Sequence, residues 1–286
     1  MDSFFIKTMN PNSQLLSSIA KSPIGIFDSG VGGLTVANAI RQILPEEDIV
    51  YFGDTLHLPY GDKSAESIRA YSVRIADYLL EKNCKLIVIA CNTASALAYN
   101  EVLEVVKDRA KVVNVIDPVI DYVCNDSSIK KIGIVGTKAT VNSGAYKIRL
   151  IQKNSRLEVK SLATPLLVPM IEEGFIYDDI SNAIIRSYLA KEELSSIDTL
   201  ILGCTHYPII KNQISKYYDF KVQVIDSAMI VANHVKKLLK ENDLLNSNEK
   251  SGNYQFMVSE YTEYFEIISR MFFEEKIQLQ KINLWA

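Results

Sequence analysis

Two stretches of this chain are built alike, and that likeness constrains the fold more than any other feature. SPIGIFDSGVGGLTV at residues 22–36 and KIGIVGTKATVNSGAY at 131–146 each run a Gly-Ile-led strand into a turn rich in Gly, Ser or Thr and then into a helical pattern. Downstream of each, LIVIACNTAS at 86–95 and TLILGCTHYP at 199–208 end an apolar run in a small residue, a cysteine and polar side chains. Gly25 to Cys91 is 66 residues and Gly133 to Cys204 is 71, so the two cysteines hold equivalent places in two halves of similar build.

Between these landmarks, short β-rich runs alternate with longer helical patterns: DIVYFGD before SAESIRAYSVRIADYLLEKN, KLIVIAC before TASALAYNEVLEVVKDRA, KVVNVID before a further helix. That rhythm predicts parallel strands joined by crossover helices, and near-continuous apolar strands such as LIVIA suit sheets covered on both faces. KVQVIDSA echoes KVVNVIDPV and closes the second half near residue 225, after which the strand-like YQFMVS and the amphipathic YTEYFEIISRMFF are expected to pack back onto the first half. The expected fold class is α/β, with two pseudo-symmetric domains, each a mainly parallel sheet flanked by helices, and an active site in the cleft between them. The expected boundaries are an extension over 1–22, a discontinuous first domain over 23–116 plus 226–286, and a second domain over 117–225.

With 31 basic and 34 acidic residues and a net charge of -3, nothing in the sequence offers an electrostatic footprint for nucleic acid or anionic lipid. No apolar run approaches the roughly 20 residues of a membrane span, so neither a nucleic-acid nor a membrane partner is expected. The first 22 residues lack the continuous apolar core of a signal peptide and read as a polar, poorly ordered extension. Four cysteines without short paired spacings fit a reducing compartment, which makes the cytoplasm the expected location. Several surfaces could serve a homodimer, and the sequence does not choose among them.

In open parallel sheets, ligands bind beyond the carboxyl ends of the strands, where Cys91 and Cys204 both fall. If the halves face one another, one thiol approaches a bound molecule from each side. Inverting a stereocentre by proton transfer needs a base on one face of the carbon and an acid on the other, and two equivalent thiols supply both without a cofactor. A free thiol titrates near about 8.5, so a charged neighbour must tune it; Asp28 and His206 lie closest in sequence. Ser29 and the glycines of DSGVGG sit where a strand enters a helix N-terminus, with Asp28 suited to an ammonium group. Asn92, Thr93 and Thr205 can hydrogen-bond carboxylates, and Tyr60 and Gly61 in PYG offer backbone N–H groups. No lysine accompanies a phosphate cradle, so no pyridoxal site is expected, and the lack of a short-spaced ligand pair argues against a metal. Carbanion stabilisation would then fall to aligned donors in a dry, closed cleft.

The strings GIFDSGVGGLTV, YFGDTLHLPYGDKS, IACNTASA, VIDPV, GTKATVNSGAY, LLVPMIEEG and LILGCTHYP occur in this order, and over about residues 23–284 the chain resembles the glutamate racemases of the aspartate/glutamate racemase superfamily. The resemblance implies cofactor-independent interconversion of L- and D-glutamate, supplying D-glutamate for bacterial peptidoglycan. It implies that Cys91 deprotonates D-glutamate and Cys204 deprotonates L-glutamate, with Asp28 and His206 assisting. Substrate contacts carry over to Asp28, Ser29, Tyr60, Gly61, Asn92, Thr93, Thr205 and His206. Glu172 is a further helper candidate, and Thr137, Thr140 and Ser143 are candidate lining residues. TLHLPYG departs from the family's more usual small or basic residue near His57. Cys84, Cys124, His57 and His234 read as structural or surface residues. The competing readings are a zinc site built from Cys91, Cys204 and His206, a two-lobed amino-acid binding module without chemistry, and a racemase for aspartate.

Overall fold

The computed structural model describes residues 11–247, 250–261, 263–273 and 277–286. The apolar runs form strands β1 (Ile24–Asp28), β2 (Ile49–Gly53), β3 (Leu86–Ile89), β4 (Lys111–Asn114), β5 (Lys131–Gly136), β6 (Glu158–Ala163), β7 (Thr199–Gly203), β8 (Gln223–Ile225), β9 (Tyr254–Val258) and β10 (Leu279–Lys281). They divide into a six-stranded sheet, β10-β9-β2-β1-β3-β4, and a four-stranded sheet, β6-β5-β7-β8. All pairings are parallel. The order β2-β1-β3-β4 in one sheet matches β6-β5-β7-β8 in the other, so the duplication read from the sequence is a duplication of topology.

Period-two alternation assigns each strand's side chains to opposite faces. In β1, Ile24 and Ile26 join one apolar core with the helices Leu34–Ile43 and Ala228–Glu241, while Phe27 joins another beneath the helix Ala65–Glu81. In β7, Leu200 and Leu202 face a core that includes Ile171 and Ile185, and Ile201 faces one with Ile120 and Leu150. Both faces of each sheet are therefore covered, which is why β1, β3 and β7 are apolar almost throughout and fully buried.

Two local expectations need correction. Residues 11–20 form a helix, Pro11–Ala20, rather than a poorly ordered extension; proline suits a first helical position, and the buried Lys85 donates to the Ala20 carbonyl at the helix's end. Residues 1–10 lie outside the described ones. The helical pattern after Cys91 breaks at Ala98 into Asn92–Leu97 and Tyr99–Val106. The polar three-residue β10 has no apolar signature and was not expected; it is an edge strand beside β9.

Candidate active site

Cys91 and Cys204 leave the ends of β3 and β7 and line one small cavity between the two sheets. The first half contributes Ser29, Tyr60, Gly61, Asn92 and Thr93 to the wall, and the second contributes Thr137, Thr205 and His206. Leu58, Pro59 and Val168 complete it. Leu58 and Val168 carry no signal that separates them from core, so sequence reasoning passes over them, whereas Pro59 opens the PYG turn read from the sequence. Both cysteines are reduced and buried, at 5% and 7% exposure.

Their surroundings differ. Cys91 caps the helix Asn92–Leu97 and donates to the Ser29 hydroxyl at 3.7 Å. Burial, reinforced by the negative charge of Asp28, pushes its thiol up to about 12, against weaker help to the thiolate from the Ala94 N–H and Ser29. Cys204 instead lies 3.8 Å from His206 Nδ1, and His206 Nε2 is 3.1 Å from Glu172 Oε1. Burial opposes the imidazolium, but the Cys204 sulfur and the Glu172 carboxylate outweigh it and carry His206 up to about 10. One thiol is thus held as an acid, while the other has a cation beside it.

Asp28, expected at a ligand's ammonium group and as a helper to Cys91, does not line the cavity. It is fully buried behind it, accepting the N–H groups of Gly30 at 3.2 Å and Gly33 at 2.9 Å and the Thr205 hydroxyl at 3.4 Å. Its charge disfavours the Cys91 thiolate, and its hydrogen bonds hold the turn that carries Ser29. Thr93, Thr137 and Thr140 join their hydroxyls across the cleft at 3.0–3.1 Å, but of the candidate lining residues only Thr137 reaches the wall: Thr140 lies behind it and Ser143 turns to the Thr140 carbonyl. The Tyr60 hydroxyl donates to Asp54 at 2.7 Å, which leaves its ring and the adjoining backbone to face the cavity.

Asp54 is a hub that the sequence did not disclose. Besides Tyr60, its carboxylate meets His57 Nδ1 at 2.8 Å, Ser259 Oγ at 2.8 Å and Trp285 Nε1 at 3.0 Å. His57 stacks on Tyr71 with ring centroids 4.0 Å apart, so within TLHLPYG it buttresses the loop rather than lining the cavity. Among the described residues, no three His, Cys, Asp or Glu side chains gather as a metal would require, and none of the lining residues is Lys or Arg.

His206, Cys91 and Cys84, whose thiol burial also pushes up to about 12, hold their protons more tightly in the folded chain than the ordinary values of 6.5 and 9.0. Their stabilisation is complete below those values and is lost as pH rises through about 10 for His206 and toward 12 for the thiols. Urea midpoints should fall from pH 7 to pH 10 by the equivalent of about 6 kcal/mol, rather more than half of it from His206, and His206→Gln should flatten the fall. A midpoint that holds steady over that range would contradict the assignment.

The family model described as Asp/Glu/Hydantoin racemase matches residues 34–235. A glutamate racemase of Chlorobaculum parvum is 41% identical over 251 residues, which cover 88% of this chain and 92% of the relative. One of Aquifex aeolicus is 41% identical over 255 residues, 89% of this chain and 95% of the relative. Among solved structures, glutamate racemase from Francisella tularensis in complex with D-glutamate superposes with a TM-score of 0.87 at 40% identity, over 93% of this chain and 99% of that one. The shared topology, the paired cysteine turns and these matches place the chain in the Asp/Glu/Hydantoin racemase family, as a relative of the glutamate racemases.

Proposed function

We propose that this chain interconverts L- and D-glutamate without a cofactor, one cysteine taking the Cα proton while the other delivers one to the opposite face. The observation that carries the reading is that Cys91 and Cys204, on equivalent turns of two duplicated halves, line the same small cavity. Glutamate is supported as substrate by the relatives that bear its name and by the D-glutamate held in the Francisella structure. The wall agrees: Ser29, Asn92, Thr93, Thr137 and Thr205 offer neutral hydrogen-bonding groups for two carboxylates.

In this reading Cys204 abstracts the proton of L-glutamate and Cys91 that of D-glutamate. His206, oriented by Glu172, stabilises the Cys204 thiolate, and Cys91 rests as the thiol that reprotonates the far face. In the reverse direction the roles exchange: the Cys91 proton passes to solvent and the Cys204 thiolate takes one up, and Ser29 is placed to donate to the Cys91 thiolate. Ser29, Tyr60, Gly61, Asn92, Thr93, Thr205 and His206 contact substrate, and Asp28 acts through the turn it holds. The proposed domains are 23–116 with 226–286, and 117–225, closing on the substrate from either side. Among the described residues no helix is long and apolar enough to cross a membrane. A cytoplasmic role in supplying D-glutamate for peptidoglycan is part of this proposal. A homodimer is compatible with this reading and is not required by it.

The test is solvent deuterium incorporation at Cα, followed by NMR, with protein freed of metal and pyridoxal phosphate. Uptake with inversion from either enantiomer of glutamate is expected. Uptake with aspartate alone would reassign the substrate, and no uptake with either amino acid would remove the racemase reading.

A further inference from the structure

Tyr146 has no part in the chemistry described so far. It belongs to the helix Ala145–Lys153 of the second half, yet its buried hydroxyl donates across the cleft to Asn92 Oδ1 at 2.7 Å, on the residue that follows Cys91. Its ring also packs against the residue that precedes Cys204, since a methyl group on Gly203 would lie 3.4 Å from Tyr146 Cε2. One side chain therefore touches the turns of both cysteines. Burial and the charge of Cys204 hold the phenol above its ordinary range, so the hydroxyl keeps its proton as a donor.

An amide that accepts through its oxygen presents its nitrogen on the other side. Asn92 is 2% exposed and lines the cavity, and among the described residues its Nδ2 has no partner. A buried donor left unpaired is costly, and a substrate carboxylate would satisfy it. Resting on the reading of Asn92 as a substrate contact, we propose that Tyr146 is a positioning residue: by holding Asn92 Oδ1 it fixes the amide with Nδ2 toward a substrate carboxylate, and so favours a carboxylate over an amide at that place. Were the amide free to turn over, its oxygen would face the carboxylate and repel it.

Tyr146→Phe keeps the ring against Gly203 and removes only the hydroxyl. The KM for glutamate should rise about tenfold with kcat changed far less, and the preference for glutamate over glutamine as a competing ligand should narrow by a similar factor. Asn92→Ala should raise KM at least as much, and the double variant should be no worse than Asn92→Ala alone, because the tyrosine acts through the amide. An unchanged KM in Tyr146→Phe beside an impaired Asn92→Ala would overturn the inference and leave the racemase reading standing, as would losses that simply add. A normal KM in Asn92→Ala would overturn it by removing the contact on which it rests. Should Tyr146→Phe not fold, the Asn92 side-chain amide resonance in the wild-type protein decides: it should shift on addition of glutamate, and a resonance that does not respond would overturn the inference.

Discussion

Cys204→Ala should abolish inversion of glutamate in both directions, by at least about a thousandfold, because a positioned acid or base contributes roughly 10² to 10⁴ and inversion needs one on each face. The variant should retain a partial reaction. With Cys91 intact, the Cα proton of D-glutamate can still be removed and returned on the same face, so that in heavy water D-glutamate becomes deuterated with its configuration kept. Cys91→Ala should show the mirror image, deuterating L-glutamate alone. This crossed pattern, read by NMR and chiral chromatography, separates a two-base mechanism from a single mobile base. Deuteration of the same enantiomer in both variants, or inversion surviving at a tenth of the wild-type rate, would be incompatible with one thiol on each face.

Gly32→Ala should be nearly as damaging without touching either cysteine. Gly32 belongs to the DSGVGG turn of the first half, and a Cβ there would sit 2.4 Å from Thr205 Oγ1 and 2.7 Å from His206 Nδ1 in the second half. Neither atom is a free end with open space beside it: the Thr205 hydroxyl reaches Asp28, and the buried imidazole stands between the Cys204 sulfur and the Glu172 carboxylate. The methyl group must push the halves apart or turn the histidine away from the sulfur. Misplacement of catalytic groups by about 1 Å costs roughly a hundredfold, and kcat/KM should fall by that order. Overpacking should lower stability by only about 1–3 kcal/mol, so urea unfolding alongside steady-state kinetics distinguishes a jammed cleft from a broken fold. Kinetics near those of the wild type would mean that the turn yields freely.

The parts of this molecule legible in the sequence are those whose physics is local. β1, β3, β5 and β7 announce themselves because strands buried on both faces must be apolar throughout, and the cysteines stand out because a strand end followed by polar residues is a poor place for a core thiol. Contacts between residues far apart in the chain are different. Tyr146 is one tyrosine in a motif until folding carries it to Asn92, and Asp54 gathers Ser259 and Trp285 from more than 200 residues away. Asp28 was legible as a site residue but not in its geometry, since only the folded turn shows its carboxylate taken up by Gly30, Gly33 and Thr205. Leu58 and Val168 escape notice because an apolar cavity wall and an apolar core share one composition.

The pairing of β2 with β9 bears on how the molecule is assembled during synthesis. β2 meets a partner about 205 residues downstream, and the Asn246 N–H returns to the Glu47 carboxylate across 199. Closing so long a loop from an open chain is slow and entropically unfavourable. The four strands of the second sheet lie wholly inside that interval, over residues 131–225, and pair only with one another. Once they have folded, the flanking helices Ile116–Asn125 and Ala228–Glu241 pack together, and the remaining search is that of a much shorter chain. The insertion that supplies Cys204 thus also brings the last strands within reach of the first.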